Sequence, residues 1–327
     1  LCLTCALLLV ACYSPTEHST VAECGVWKVR VSDNSIVGVL QDIPEGRALL
    51  SVGNTEFLVA SGTGQVHVVN SLEMSINSSL TVGFAGGTGY RSMVMPIAGT
   101  VYLTSSSGRL IEINLPEMSV VDDFSVGEVP DRMVAPTNSG EFFYVSDMSS
   151  GRILEVSTVT NSEVRQSDEL DAVPTGIAAE SFLNSFLIAV TSDDTGLCGI
   201  LNLGTFHFEE VSLGYSCYDV SAFPAESIWA VTHPEWKLSS GLVSICTNFS
   251  LPEVEEISIP GHPMHICSVP GTTRFYVLSY LGSGESLLIG VNYLTGTIDS
   301  QTELSGFPWD VTSHGNGEYL LVLTSEL

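Results

Sequence analysis

Seven short glycine-centred cassettes recur along this chain, beginning at Gly25, Gly64, Gly108, Gly151, Gly196, Gly241 and Gly284, every 39 to 45 residues. Five read as an apolar strand, a tight turn and a second strand. Phe57-Leu58-Val59-Ala60 leads through Gly64 into Val66-His67-Val68-Val69, and Val101-Tyr102-Leu103 through Gly108 into Leu110-Ile111-Glu112-Ile113. Phe143-Tyr144-Val145, Ile228-Trp229-Ala230-Val231 and Phe275-Tyr276-Val277-Leu278 open the same pattern, and Phe186-Leu187-Ile188-Ala189-Val190 opens a looser fourth unit. Single ribbons of this kind cannot shelter their own faces, so such units must stack on their neighbours. The glycine suits a tight hairpin turn, which requires a positive φ.

A strand-rich repeat of this length predicts a β-propeller. The first strand of each pair is nearly all apolar, as a strand covered on both faces should be. The second often alternates and is expected nearer the rim. A third strand precedes each pair, often opened by proline, as at Pro130-Asp131-Arg132, Pro174-Thr175-Gly176, Pro263-Met264-His265 and Pro308-Trp309-Asp310. Proline suits a first strand residue, where no ladder donor is lost. These strands are expected innermost, and a fourth, outer strand follows each cassette. Tyr319-Leu320-Leu321-Val322-Leu323 ends the chain as an inner pair without an outer pair, and Gly25-Val26-Trp27-Lys28-Val29-Arg30 begins it as an outer pair without an inner one. The expected fold is all-β: a seven-bladed propeller of four-stranded antiparallel blades, closed by N- and C-terminal strands sharing one blade. The 304 residues from Cys24 to Leu327 accommodate seven such units.

Phe143-Tyr144-Val145-Ser146-Asp147 followed by Gly151-Arg152-Ile153 resembles the repeat of the YVTN propellers, a large prokaryotic family of seven-bladed proteins. Ile111-Glu112-Ile113-Asn114 and Asn292-Tyr293-Leu294-Thr295-Gly296-Thr297 resemble the family's strand ending in an acid or amide before a Thr-rich turn. The resemblance covers residues 25 to 327 without an intact Tyr-Val-Thr-Asn tetrad. It implies a propeller, and it leaves function open among binding proteins, lactonase-like enzymes and cofactor-bearing relatives.

Residues 1–11, LCLTCALLLVA, have the length and apolarity of a signal-peptide core and are too short to span a membrane as a helix. Leu9-Val10-Ala11-Cys12 resembles a bacterial lipobox, which implies lipidation at Cys12 and a polar tether over residues 12–23 ahead of a propeller domain from 24 to 327. Tyr13 after the cysteine, by resemblance to Gram-negative lipoproteins, implies the outer membrane, with the propeller on its periplasmic or surface side. An oxidising compartment would permit two disulfides among Cys198, Cys217, Cys246 and Cys267, for instance Cys198 with Cys217 and Cys246 with Cys267, leaving Cys24 odd. Buried free thiols are the alternative.

Ten basic residues against 37 acidic ones give a net charge of −27. Nucleic acid is excluded as a natural partner, and anionic lipid would repel the surface, so membrane attachment would rest on the acyl chains alone. The acidic clusters Asp122-Asp123, Asp193-Asp194 and Glu253-Glu255-Glu256 lack the spacing of a calcium loop and read as solvated. No metal site and no cofactor is expected. There is no G-x-S-x-G, H-E-x-x-H, G-x-x-x-x-G-K or C-x-x-C-H motif, and Gly83–Gly89 reads as a loop between blades. Trp27, Trp229, Trp236 and Trp309 read as packing residues.

Arg47, Arg91 and Arg132 fall at or near the start of the inner strand in three consecutive blades. Together they would form a cationic segment at the channel mouth, suited to bidentate carboxylate or phosphate. Alternatively, they pair with nearby acids such as Glu45 or Asp131 and brace the channel. Asp219, His262, His265 and Asp310 are expected on the opposite side of the ring, with His233 in a loop of the same face. The first four are candidates for acid–base hydrolysis of a lactone, and His233 joins the three arginines as a candidate ligand-binding residue. The expected function is therefore a binding module for a small anion or a segment of an envelope protein. A lactonase-like hydrolase and a structural assembly subunit are the alternatives.

Overall fold

Apolar runs between glycine turns become strands along the whole chain. The computed structural model describes residues 24–41, 43–83, 90–105, 107–136, 140–170, 172–179, 186–191, 196–223, 227–235, 238, 240–248, 252–315 and 317–326. The signal segment, Cys12, the tether, residues 84–89, Asp193, Asp194 and Trp236 lie outside these residues. Among the described residues, 28 strands form seven antiparallel sheets of four, with no helix. Blade 1 runs Gly46–Val52, Glu56–Ser61, Gln65–Asn70 and Ser75–Thr81, in that order from the inside out. The inner strands of blades 2 to 7 are Tyr90–Ile97, Pro130–Val134, Pro174–Ala179, Val220–Ala222, His262–Ser268 and Phe307–His314. Each lies against the inner strand of the next blade, and Phe307–His314 lies against Gly46–Val52, closing the ring.

Blade 7 is assembled from both ends of the chain, as expected. Gly25–Arg30 pairs with Tyr319–Ser325, placing Trp27 opposite Val322, and Ile36–Leu40 forms the outer edge. Trp27 Nε1–H donates to Thr324 Oγ1 at 2.9 Å across this junction.

The interior is a set of seams between blades. Seven hydrophobic clusters of the described residues each join two neighbouring blades. The two-residue period of a strand sends alternate side chains to opposite seams. Phe57 and Val59 pack toward blade 7, whereas Leu58 and Ala60 pack toward blade 2. That is why these strands are apolar throughout. The third strands are also buried rather than near the rim, and solvated alternation begins only at the fourth. Polar residues of the third strands are bonded as well, His67 to Ser79 and Glu155 to Tyr144 and Arg165 within their own blades, and Glu112 to Asn161 of the next blade.

Of the seven cassette glycines, Gly64, Gly108, Gly151, Gly196 and Gly284 hold φ between 61° and 86° and turn the second strand into the third. Gly241 serves differently. A Cβ there would lie 2.3 Å from the Pro263 ring and 2.4 Å from the His233 carbonyl, so glycine permits the close approach of blade 6.

Deleting residues 24–31 should unpair the edge of Tyr319–Ser325 and strip one wall from two seams. The expected result is loss of a cooperative thermal transition, with self-association seen by light scattering. A milder probe is Trp27→Ala, expected to cost about 3–5 kcal/mol in denaturant unfolding. A melt unchanged by the deletion would contradict the shared blade.

Candidate ligand site at the channel mouth

A one-residue irregularity interrupts the pairing of the inner strand in six blades, always near its start. Such bulges re-aim side chains at a sheet edge. Two successive register positions result. The first carries Arg47, Arg91, Asp131, Tyr218 and Trp309, and the second carries Ser92, Arg132, Asp219, His265 and Asp310. Three of the second-position side chains share one bonding rule. Met133 N–H donates to Ser92 Oγ at 3.1 Å, Ile266 N–H to Asp219 Oδ2 at 3.3 Å, and Leu49 N–H to Asp310 Oδ2 at 2.8 Å. In each case the acceptor belongs to one blade and the donor to the next. The three arginines therefore do not share one register position: Arg132 stands one residue further along its strand than Arg47 and Arg91.

In so acidic a chain most guanidinium groups find a carboxylate. Arg30, Arg91, Arg109, Arg152, Arg165 and Arg274 each make a direct ion pair. Arg91 Nη1 lies 3.0 Å from Asp131 Oδ1, so this member braces two adjacent blades. Among the described residues, Arg47 and Arg132 are the arginines without a direct ion pair or a side-chain hydrogen bond. Both are on inner strands and both remain partly accessible.

Arg47 sits over Trp309, its Cζ 3.8 Å from the ring centroid. Burial lowers its pKa, with Glu45 acting weakly the other way, and its Nε is buried without a partner. Burial also opposes charge on Arg132, but Asp219, Asp131 and Asp310 outweigh it and hold this guanidinium above its ordinary value. Burial pushes the Asp310 carboxyl up, despite His265 and Arg132 nearby. For Asp219 burial acts in the same direction, yet His265 and Arg132 hold it below the ordinary range. Two carboxyls beside one guanidinium are thus driven apart by their surroundings.

The histidines separate. His265 is 2% exposed, with Nδ1 3.4 Å from Asp219 Oδ2 at an angle that makes no hydrogen bond, and its ring meets Tyr218 edge-on. His262 Nδ1–H donates to the Pro234 carbonyl at 2.8 Å, so the two are not brought together. His233 is not in a loop at the mouth. It ends the strand Ile228–His233, is 0% exposed, and is bonded to the Ser216 carbonyl and Ser244 Oγ. The cysteines follow the alternative of free thiols rather than the two disulfides. All five described cysteines are free thiols. Cys198, Cys217 and Cys246 share the seam between blades 4 and 5, whereas Cys267 lies in the seam between blades 6 and 7, which excludes pairing Cys246 with Cys267. No group of metal-ligating side chains forms among the described residues.

Trp27 and Trp229 pack as expected, Trp229 fully buried. Trp309 packs only in part, against the seam between blades 7 and 1, and stays partly exposed beneath Arg47. The signal was its place directly after Pro308, matching the place of Arg47 after Gly46.

No protein-family model matches the chain, and no curated protein matches it. Solved structures do. Kuenenia stuttgartiensis hydrazine synthase is similar at 14% identity and a TM-score of 0.73, over 88% of this chain and 98% of that one. The β-propeller domain of Myceliophteria thermophila Cps50 (Swd1) is similar at 9% identity and a TM-score of 0.68, covering 86% of this chain and 97% of that chain. U3-55K is similar at 9% identity and a TM-score of 0.69, covering 86% and 88%. The chain is a seven-bladed β-propeller. At these identities the likeness shows the fold alone.

Burial lowers the His233 pKa to about 4, partly opposed by its bonds to backbone carbonyls. The unfolded imidazole titrates near 6.5, so His233 contributes stability above that pH and loses it as pH falls toward about 4, by roughly 3 kcal/mol. Denaturant unfolding from pH 7 to 4 should show this loss, and His233→Gln should flatten it. A variant with the unchanged pH slope would refute the assignment.

Proposed function

We propose that this propeller is a binding module that takes a carboxylate-bearing ligand at the channel mouth through Arg47 and Arg132. The observation that carries this is selective. Arginines elsewhere in the described chain are neutralised by acids, and the two left without a direct partner both stand on inner strands. A guanidinium fork matches a carboxylate with two parallel N–H···O bonds. Indole stacking holds Arg47 in one orientation, so less freedom is lost on binding. The surrounding acids limit the site to a ligand that places its anionic group directly on these forks. A small molecule or an acidic segment of a partner protein would meet that requirement.

Melting temperature titrated with acetate, succinate and phosphate tests the reading. A carboxylate at about one hundred times its Kd should stabilise the fold by about 2.7 kcal/mol, a shift of several degrees. Arg47→Gln with Arg132→Gln should abolish that shift, and a melt indifferent to every anion would refute the site.

The lactonase-like reading is favoured by His265 lying between Asp219 and Asp310, and it has less support because His265 is 2% exposed. Export and a lipid anchor remain part of the proposal, supported by Leu9-Val10-Ala11-Cys12. Among the described residues no helix is long and apolar enough to cross a membrane. Expression of the full chain in a bacterial host with labelled palmitate should mark the protein, and Cys12→Ala should remove the label. Equal labelling of both would overturn the anchor.

A further inference from the structure

We infer that Trp309 and Phe307 form a stacking subsite beside Arg47, so that the ligand carries its carboxylate on an aromatic or heteroaromatic ring. The inference rests on the carboxylate reading above for the charge, and on separate geometry for the ring.

Trp309 and Arg47 occupy the same register position on blades 7 and 1, which meet where the ring closes. The indole is held in place from behind. Its Nε1–H donates to Ser325 Oγ, and its ring packs in part on the seam between these blades. Phe307 stands 5.3 Å from Trp309, centroid to centroid, at 63°. Tyr280 stands 5.0 Å from Phe307 at 60°. A continuous aromatic series thus runs across blades 6 and 7 and ends under a guanidinium. Phe307 and Trp309 are both partly exposed, so the series is not simply core.

The orientation of Arg47 selects the shape of the ligand. A Cζ 3.8 Å over the centroid leaves no room for an N–H aimed squarely at the indole, so the guanidinium faces the ring and presents its N–H edge sideways, within its own plane. A carboxylate held by two parallel bonds must enter in that plane, parallel to the indole. A ring conjugated to the carboxylate continues the same plane and can meet the aromatic series by stacking or by edge contact. A saturated ring is puckered and carries hydrogens above and below that plane, so it cannot lie as close. A ligand without a ring would leave the exposed parts of Phe307 and Trp309 in water.

Calorimetric titration of the full chain with benzoate and with cyclohexanecarboxylate, equal in charge and similar in size, tests the inference. Benzoate is expected to bind about tenfold tighter. Trp309→Leu should erase that preference and, by removing the stacking that orients Arg47, also weaken cyclohexanecarboxylate somewhat, whereas Arg47→Gln should weaken both acids alike. Phe307→Leu provides a second variant if Trp309→Leu does not fold, and it should reduce the preference. Equal affinities in the unaltered protein, both lost in Arg132→Gln, would overturn the ring preference and leave the carboxylate site standing. Absence of binding by either acid would overturn both.

Discussion

The inner strand of every blade has one edge with no strand beside it, and satisfying that edge shapes the channel. Backbone donors there cannot reach another ladder, so the preceding blade supplies acceptors from its side chains. Ser92 serves Met133, Asp219 serves Ile266, Ser221 serves Ser268, and Asp310 serves Leu49. Hydroxyl groups donate in return, Thr104 to the Asp131 carbonyl and Thr232 to the Met264 carbonyl. An unmet buried donor costs more than a typical hydrogen bond contributes, so these staples are a requirement of the fold. Where the staple is an aspartate, a buried charge comes with it. Arg132 stands near both such aspartates, which fits the need of buried carboxylates for a compensating cation.

The channel therefore has two kinds of polar residue that look alike in sequence. Asp219 and Asp310 are tied to backbone on the neighbouring blade, and Asp131 is tied to Arg91. Arg47 and Arg132 are held by stacking and by field, with their forks unbonded. Only the second kind is available to something from outside. The same distinction explains the histidines: His233 is tied to Ser216 and Ser244 in the interior, and His265 is enclosed against Tyr218 and Asp219.

Ring closure and the candidate site meet at one seam. Gly25–Arg30 completes blade 7 and fixes Phe307–His314 against Gly46–Val52. Asp310 staples that seam, and Arg47 and Trp309 face each other across it. The site is consequently assembled by residues at the two ends of the propeller sequence, 262 positions apart. Loss of closure would part Arg47 from Trp309. With the interior divided among seven seams, each blade depends on both neighbours, as the stacking of repeats requires.

Strand period and glycine spacing are local properties, and they carried the architecture. Apolar runs such as Phe275-Tyr276-Val277-Leu278 announced strands covered on both faces, and the unmatched halves at Trp27 and Tyr319 announced the shared blade. The site was legible only as a collection of residue types at strand starts. A one-residue bulge decided that Arg132 stands one step beyond Arg47 and Arg91. Burial decided that His233 is structural and that Cys246 and Cys267 belong to different seams. Trp309 was hidden among packing residues because its surroundings include Arg47 of a blade 262 positions away. Sequence by itself determined how many blades there are and how the ring shuts, because repeats encode their own stacking. Only the tertiary structure decided which charges are already paired, because partners on neighbouring inner strands are brought together by the closed ring and by nothing in the chain between them.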